Sequence, residues 1–167
     1  NFNHGIYLSP SGNDLISNNV LSDNGNGDGY WAVHVGSSTG FTITGNTISS
    51  SQDPESGGNE KGIYAYLAYP ATQPVVAIIE NNNISNMKIG IDGYVANNAI
   101  DFFTVKNNVV DSNYNGIECR SCYIHGNTIT NISEVGLRMQ GWNYVYDNIF
   151  SNNNYGIIPD GYENVVY

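Results

Sequence analysis

Two carboxylates and two guanidinium groups stand at matching places in a repeated phrase of this chain. The copies read Gly90-Ile91-Asp92-Gly93-Tyr94, Gly116-Ile117-Glu118-Cys119-Arg120 and Gly136-Leu137-Arg138-Met139-Gln140. Side chains alternate in an extended backbone, so Asp92, Glu118 and Arg138 would share one side of their strands, with Tyr94, Arg120 and Gln140 beside them. Earlier copies add Tyr64 and Tyr66 after Gly62-Ile63, His34 and Gly36 around Val35, and Tyr7 and Ser9 around Leu8. If the copies stack, Asp92 and Glu118 lie about 5 Å apart, the separation of the acid/base and nucleophile in retaining glycosidases. Two carboxyl groups that close push one pKa up, which supplies an acid at neutral pH. Arg120 and Arg138 could orient an acidic sugar, or neutralise charge in an elimination. Tyr64, Tyr66 and Tyr94, with His34 and Gln140, supply ring faces and hydrogen bonds for a glycan. The plainer alternative is a cross-strand charge ladder of small energetic value.

The elements that would position these residues follow from a second phrase, apolar-x-small-Asn-x-apolar. It occurs as Ile16–Leu21, Ile43–Ile48, Ile79–Ile84, Val105–Val110, Ile124–Ile129 and Val145–Phe150. From Gly62 the glycine column recurs at Gly90, Gly116, Gly136 and Gly156. Short alternating strands separated by Asn and Gly corners at a fixed period are the mark of a stacked solenoid. The two phrases together predict about six and a half coils of three strands in a single domain over 1–167. Asn19, Asn46, Asn82, Asn108, Asn127 and Asn148 should form a ladder that satisfies corner backbone groups, with no catalytic role.

The phrases resemble the parallel β-helix repeats of pectate-lyase-like and NosD-like secreted proteins, over essentially the whole chain. The resemblance implies an all-β, right-handed parallel β-helix and an extracellular or cell-surface location. Its members include polysaccharide lyases, glycoside hydrolases, adhesins and surface-layer proteins, so two functions stay open. One is an extracellular carbohydrate-active or carbohydrate-binding β-helix, which as an enzyme would be a polysaccharide hydrolase or lyase; the other is a structural surface-layer or adhesin repeat without catalysis. NosD-like relatives are associated with copper-enzyme maturation, but two Met and three scattered His give that association no residue to rest on here.

Composition narrows the partners. Five basic against fifteen acidic residues, a net charge of −10, argues against nucleic acid, and no run is long enough for a membrane helix. A polysaccharide or other glycan is the expected partner, together with flanking coils of a longer chain, since neither end carries a polar cap. The residues assign no definite cofactor. Calcium is possible at Asn24-Gly-Asn-Gly-Asp28-Gly29, although Val35 stands where the closing Glu of a calcium loop belongs. Polar or proline-bearing insertions are expected at 49–61, 67–76 and 95–100. Cys119 and Cys122 should face inward, as buried thiols or as a disulfide. Asn83-Ile-Ser85 and Asn131-Ile-Ser133 match the glycosylation sequon.

Overall fold

The computed structural model of the protein describes residues 4–9, 13–24, 31–37, 40–55, 60–67, 75–96 and 103–167. Among them the chain forms twenty strands, β1–β20 in chain order, and every pairing between them is parallel. Each of the first six coils contributes one strand to each of three sheets, and the seventh adds one to the first and one to the second. The first sheet stacks β1 (Ile6–Leu8), β4 (Trp31–Ser37), β7 (Lys61–Leu67), β10 (Ile89–Val95), β13 (Asn115–Arg120), β16 (Val135–Gln140) and β19 (Tyr155–Asp160). The second stacks β2 (Asp14–Ser17), β5 (Phe41–Thr44), β8 (Ala77–Glu80), β11 (Phe103–Lys106), β14 (Cys122–His125), β17 (Asn143–Tyr146) and β20 (Val165–Val166). The third holds β3 (Val20–Ser22), β6 (Thr47–Ser49), β9 (Asn83–Ser85), β12 (Val109–Asp111), β15 (Thr128–Thr130) and β18 (Ile149–Ser151). This is the parallel β-helix expected from the repeat. No helix among the described residues is long and apolar enough to cross a membrane.

The core is a set of aliphatic ladders between the sheets. Ile63, Ile91, Ile117 and Leu137 come from the first, Ile43, Ile79, Val105 and Ile124 from the second, and Ile48, Ile84, Val110 and Ile129 from the third; all are fully buried. Each such side chain contributes roughly 1.5–3 kcal/mol by leaving water.

The turn from second to third sheet is two residues long in every described coil. Its first residue is always left-handed: Asn18, Gly45, Asn81, Asn107, Gly126 or Asp147, with φ between 55° and 67°. These types tolerate that conformation best. The second residue is the ladder asparagine. Asn108 accepts the backbone N–H of Asn82 at 3.0 Å and its side-chain N–H at 3.0 Å, while donating to the carbonyls of Ile79 and Lys106 at 3.0 Å each. The same pattern links Asn19, Asn46, Asn82, Asn108, Asn127 and Asn148.

In β4, β7, β10 and β13 of the first sheet the second and third residues are both buried, as in Gly62-Ile63 and Gly116-Ile117. Only glycine suits the first place where coils pack closest: a Cβ on Gly116 would lie 2.3 Å from the carbonyl oxygen of Gly136. In the second coil Ala32 occupies this column, buried at 1%. Cys119 and Cys122 form a disulfide across Ser121, which selects one of the two states open from sequence. Gly93 leaves room for it, since a Cβ there would stand 2.9 Å from Cys119 Sγ.

Candidate functional site

The first sheet places the expected residues in two adjacent outward columns. Its register pairs Tyr7 with His34, His34 with Tyr64, Tyr64 with Asp92, Asp92 with Glu118 and Glu118 with Arg138. Beside them Gly36 pairs with Tyr66, Tyr66 with Tyr94, Tyr94 with Arg120, and Gln140 with Asp160. Ser9 is exposed on the same strand side as Tyr7. The residues chosen from sequence therefore come together on one face.

The polar contacts set two neighbouring carboxylates, Asp92 and Glu118, between the cations Lys61 and Arg138. Lys61 makes a short ion pair with Asp92. Glu118 accepts from Asn115 Nδ2 at 3.1 Å and sits 3.7 Å from Arg138 Nε, and Arg138 Nη1 donates to Asp160 at 2.8 Å. Burial, then the neighbouring Asp92, push the Glu118 carboxyl above its ordinary pKa, partly opposed by Arg138 and Lys61. The face thus carries one carboxyl biased towards its acid form beside one held by an ammonium group.

Lys61 was hidden in the sequence, where it ends the polar run 49–61. In the structure it opens β7, three residues ahead of Tyr64 but on the same outer face. The two buried residues between them, Gly62 and Ile63, break the period of two and turn Lys61 outward. Its Nζ lies 4.4 Å from the Tyr64 ring centroid and 5.6 Å from that of Trp31. Leu67 and Val95, expected within insertions, are likewise strand residues buried at 4%. The remainder of those insertions is described only at 49–55, 60–61, 75–76 and 95–96. Most of the possible calcium loop, 25–30, also lies outside the described residues; at its edge Asp23 accepts the Ser51 backbone N–H at 2.6 Å.

Aromatic rings flank the charges, with two different geometries. Towards the first coil, His34 meets Tyr7 at 85° and Trp31 at 88°, and Trp31 tilts 39° against Tyr64. Burial, then His4 and Lys61, lower the His34 pKa to about 4. Trp31 Nε1 and His34 Nδ1 are buried without a hydrogen-bond partner. Burial and then Asp92 raise the Tyr64 pKa. In the outer column Tyr66 and Tyr94 stack at 5.5 Å and 9°, and the Arg120 guanidinium lies 5.3 Å from the Tyr94 ring while donating to its hydroxyl at 3.1 Å. Those rings turn faces to one another, and a ligand there would meet their edges and hydroxyls.

Beyond Arg120 the face opens into a hollow of about 290 Å³ between Arg120, Gln140, Asp160, Trp142 and Tyr162. Trp142 and Tyr162 carried no signal in the strand pattern, because both sit in turns.

A family model described as periplasmic copper-binding protein (NosD) matches residues 1–103. The chain belongs to the NosD family. No curated protein and no solved structure matches it. A periplasmic family agrees, at that coarse level, with a location outside the cytoplasm. The NosD description also names copper, which proteins bind through imidazole, thiolate and thioether donors. Here Met87 and Met139 are core residues, 0% and 1% exposed, and Cys119 and Cys122 are bonded to each other. His125 lies on the second sheet, stacked on Tyr146. His4 and His34 meet at 4.9 Å, but His4 Nδ1 accepts the Trp31 backbone N–H at 3.1 Å. No group of three His, Cys, Asp or Glu able to hold a metal occurs among the described residues. These residues do not fit a copper centre.

Proposed function

We propose that this NosD-family chain is a carbohydrate-binding β-helix that carries its glycan along the outer face of the first sheet. The supporting observation is the meeting on that face of Asp92 and Glu118, flanked by Lys61 and Arg138 and bordered by aromatic rings on both sides. Three of the five basic residues of an anionic protein, Lys61, Arg120 and Arg138, lie in this strip. Donors and acceptors repeat along it at the coil spacing of about 4.8 Å, a linear array suited to a linear polymer. If the glycan is cleaved, Glu118 serves as the acid and Asp92 as the carboxylate partner. Their placement on neighbouring strands matches the close pair of a retaining hydrolase.

A glycan array probed with the intact chain and with Tyr64→Ala and Tyr94→Ala tests binding. Retention by wild type and loss in either variant is the expected result, and failure of every glycan to bind wild type overturns the reading. Turnover is tested with Asp92→Asn and Glu118→Gln, each expected to abolish it. An unsaturated, ultraviolet-absorbing product would make the reaction an elimination.

A second reading, a scaffold repeat without a small ligand, has its own support. Asp92, Glu118, Asp160 and Arg138 already satisfy one another or Lys61, as a structural charge ladder would. The array separates the two.

A further inference from the structure

The hollow beyond Arg120 owes its shape to a mismatch between two sheets. Along the first sheet Cys119 pairs with Met139 and Gln140 with Asp160, so the last strand positions are Arg120, Gln140 and Asp160, twenty residues apart. Along the second, Cys122 pairs with Asn143, and Asn143 Nδ2 donates to Asn164 at 2.9 Å, a step of twenty-one residues. The turn between these sheets therefore gains a residue with each coil. It is Ser121 alone, then Gly141-Trp142, then Gly161-Tyr162-Glu163 ahead of Asn164, the counterpart of Asn143. The added residues are pushed outward: Trp142 is 42% and Tyr162 86% exposed. Beneath them backbone packs on backbone, since a Cβ on Gly161 would stand 2.6 Å from the Gly141 nitrogen.

The polar wall is ordered along the axis. Arg120 donates, Gln140 both donates and accepts, and Asp160 accepts, with coils about 4.8 Å apart. Arg138 fixes the Asp160 carboxylate at 2.8 Å from outside the hollow, and Tyr94 fixes the Arg120 guanidinium. The formal charges of Arg120 and Asp160 cancel. A ligand carboxylate placed here would face Asp160 on a protein of net charge −10. Neighbouring hydroxyls of a neutral ring would match the donor and acceptor order, and its C–H face would match the indole of Trp142. A volume of about 290 Å³ lies at the small end for ligand sites.

We infer that this hollow is a subsite for a neutral hexopyranose unit, with Trp142 as its stacking wall and Arg120, Gln140 and Asp160 as its hydroxyl readers. The inference rests on the carbohydrate reading and narrows it to uncharged glycans rather than uronates. The test is calorimetric titration with neutral hexasaccharides (gluco-, manno- and galacto-configured) and with hexagalacturonate, at low and high salt. Wild type is compared with Trp142→Ala, Tyr162→Ala and Tyr64→Ala, and thermal melts check folding. The expected result is binding of a neutral oligosaccharide that salt leaves unchanged and that Trp142→Ala weakens by roughly tenfold or more. Preference for the uronate, affinity that collapses with salt, or full affinity in Trp142→Ala would overturn the subsite. Loss in Tyr64→Ala alone would keep the carbohydrate reading and discard this one; no binding of any sugar would discard both.

Discussion

Two turns of the same coil follow opposite rules. The turn from second to third sheet has two residues in all six coils that reach the third sheet, a left-handed residue and then an asparagine, buried in the four inner coils. The turn from first to second sheet runs from Ser121 alone to long segments such as 68–76. The difference lies in where backbone polar groups find partners. In the asparagine turn the next coil's side chain completes each N–H, so one coil cannot change length without orphaning its neighbour. In the other turn the added residues Trp142 and Tyr162 are exposed, so solvent supplies partners there. Uniformity thus sits where the fold is held, and variety sits beside the charged and aromatic strip.

The sharpest way to break this contrast is to lengthen each turn. Inserting Gly-Ser between Asn107 and Asn108 should remove cooperative folding of the middle coils. The same insertion between Gly161 and Tyr162 should leave the melting temperature nearly unchanged. Equal effects, seen by circular dichroism melts, would refute the rule.

Next in size is Asn108→Ala. It removes an acceptor used by the Asn82 backbone N–H and leaves buried groups without partners, at a cost of about 3 kcal/mol or more. For a chain of this length the melting temperature should fall by roughly 6–12 °C, and a fall of only a degree or two would contradict the ladder's role.

A pH effect probes the aromatic end of the strip. His34 has its folded pKa lowered to about 4, from an ordinary value of 6.5. Between those values the unfolded chain binds a proton that the folded chain does not, so stability is lost as pH falls through that window. The imidazole NMR signals of His34 should stay neutral down to about pH 4, and His34→Gln should flatten this part of the stability profile. A midpoint near 6.5 would show that His34 is not buried as described.

The smallest effect belongs to the outer face of the second sheet. The Lys106–Glu80 pair, 3.1 Å apart with both side chains partly exposed, should be worth about 0.5 kcal/mol or less. Lys106→Ala should therefore leave the melting curve almost in place.

Much of this was legible because stacking forces equal neighbours into columns. The Gly-Ile and Asn phrases set the register, and the register alone put Asp92 beside Glu118 and Tyr66 beside Tyr94. Three features escaped. Lys61 was masked by the doubled buried step at Gly62-Ile63, which no alternating pattern predicts. Trp142 emerges only when the twenty-residue spacing of Arg120, Gln140 and Asp160 is set against the twenty-one-residue spacing of Cys122, Asn143 and Asn164. A second set of coil-linking asparagines has no unbroken column to reveal it. Asn113 and Asn153 alternate with Met87 and Ile132, accepting the backbone N–H groups of those two residues at 2.8 and 3.0 Å.

The asparagine ladder also sets how this molecule would yield to force. Each rung joins a coil only to its neighbours, so tension applied along the chain should peel one coil at a time. Successive rungs are 27, 36, 26, 19 and 21 residues apart. At about 3.5 Å per extended residue, a single-molecule trace would release steps of unequal length, about 13 nm for the longest coil and about 7 nm for the shortest. Read from either end, that sequence of step lengths would act as a mechanical signature of the order in which the coils are stacked.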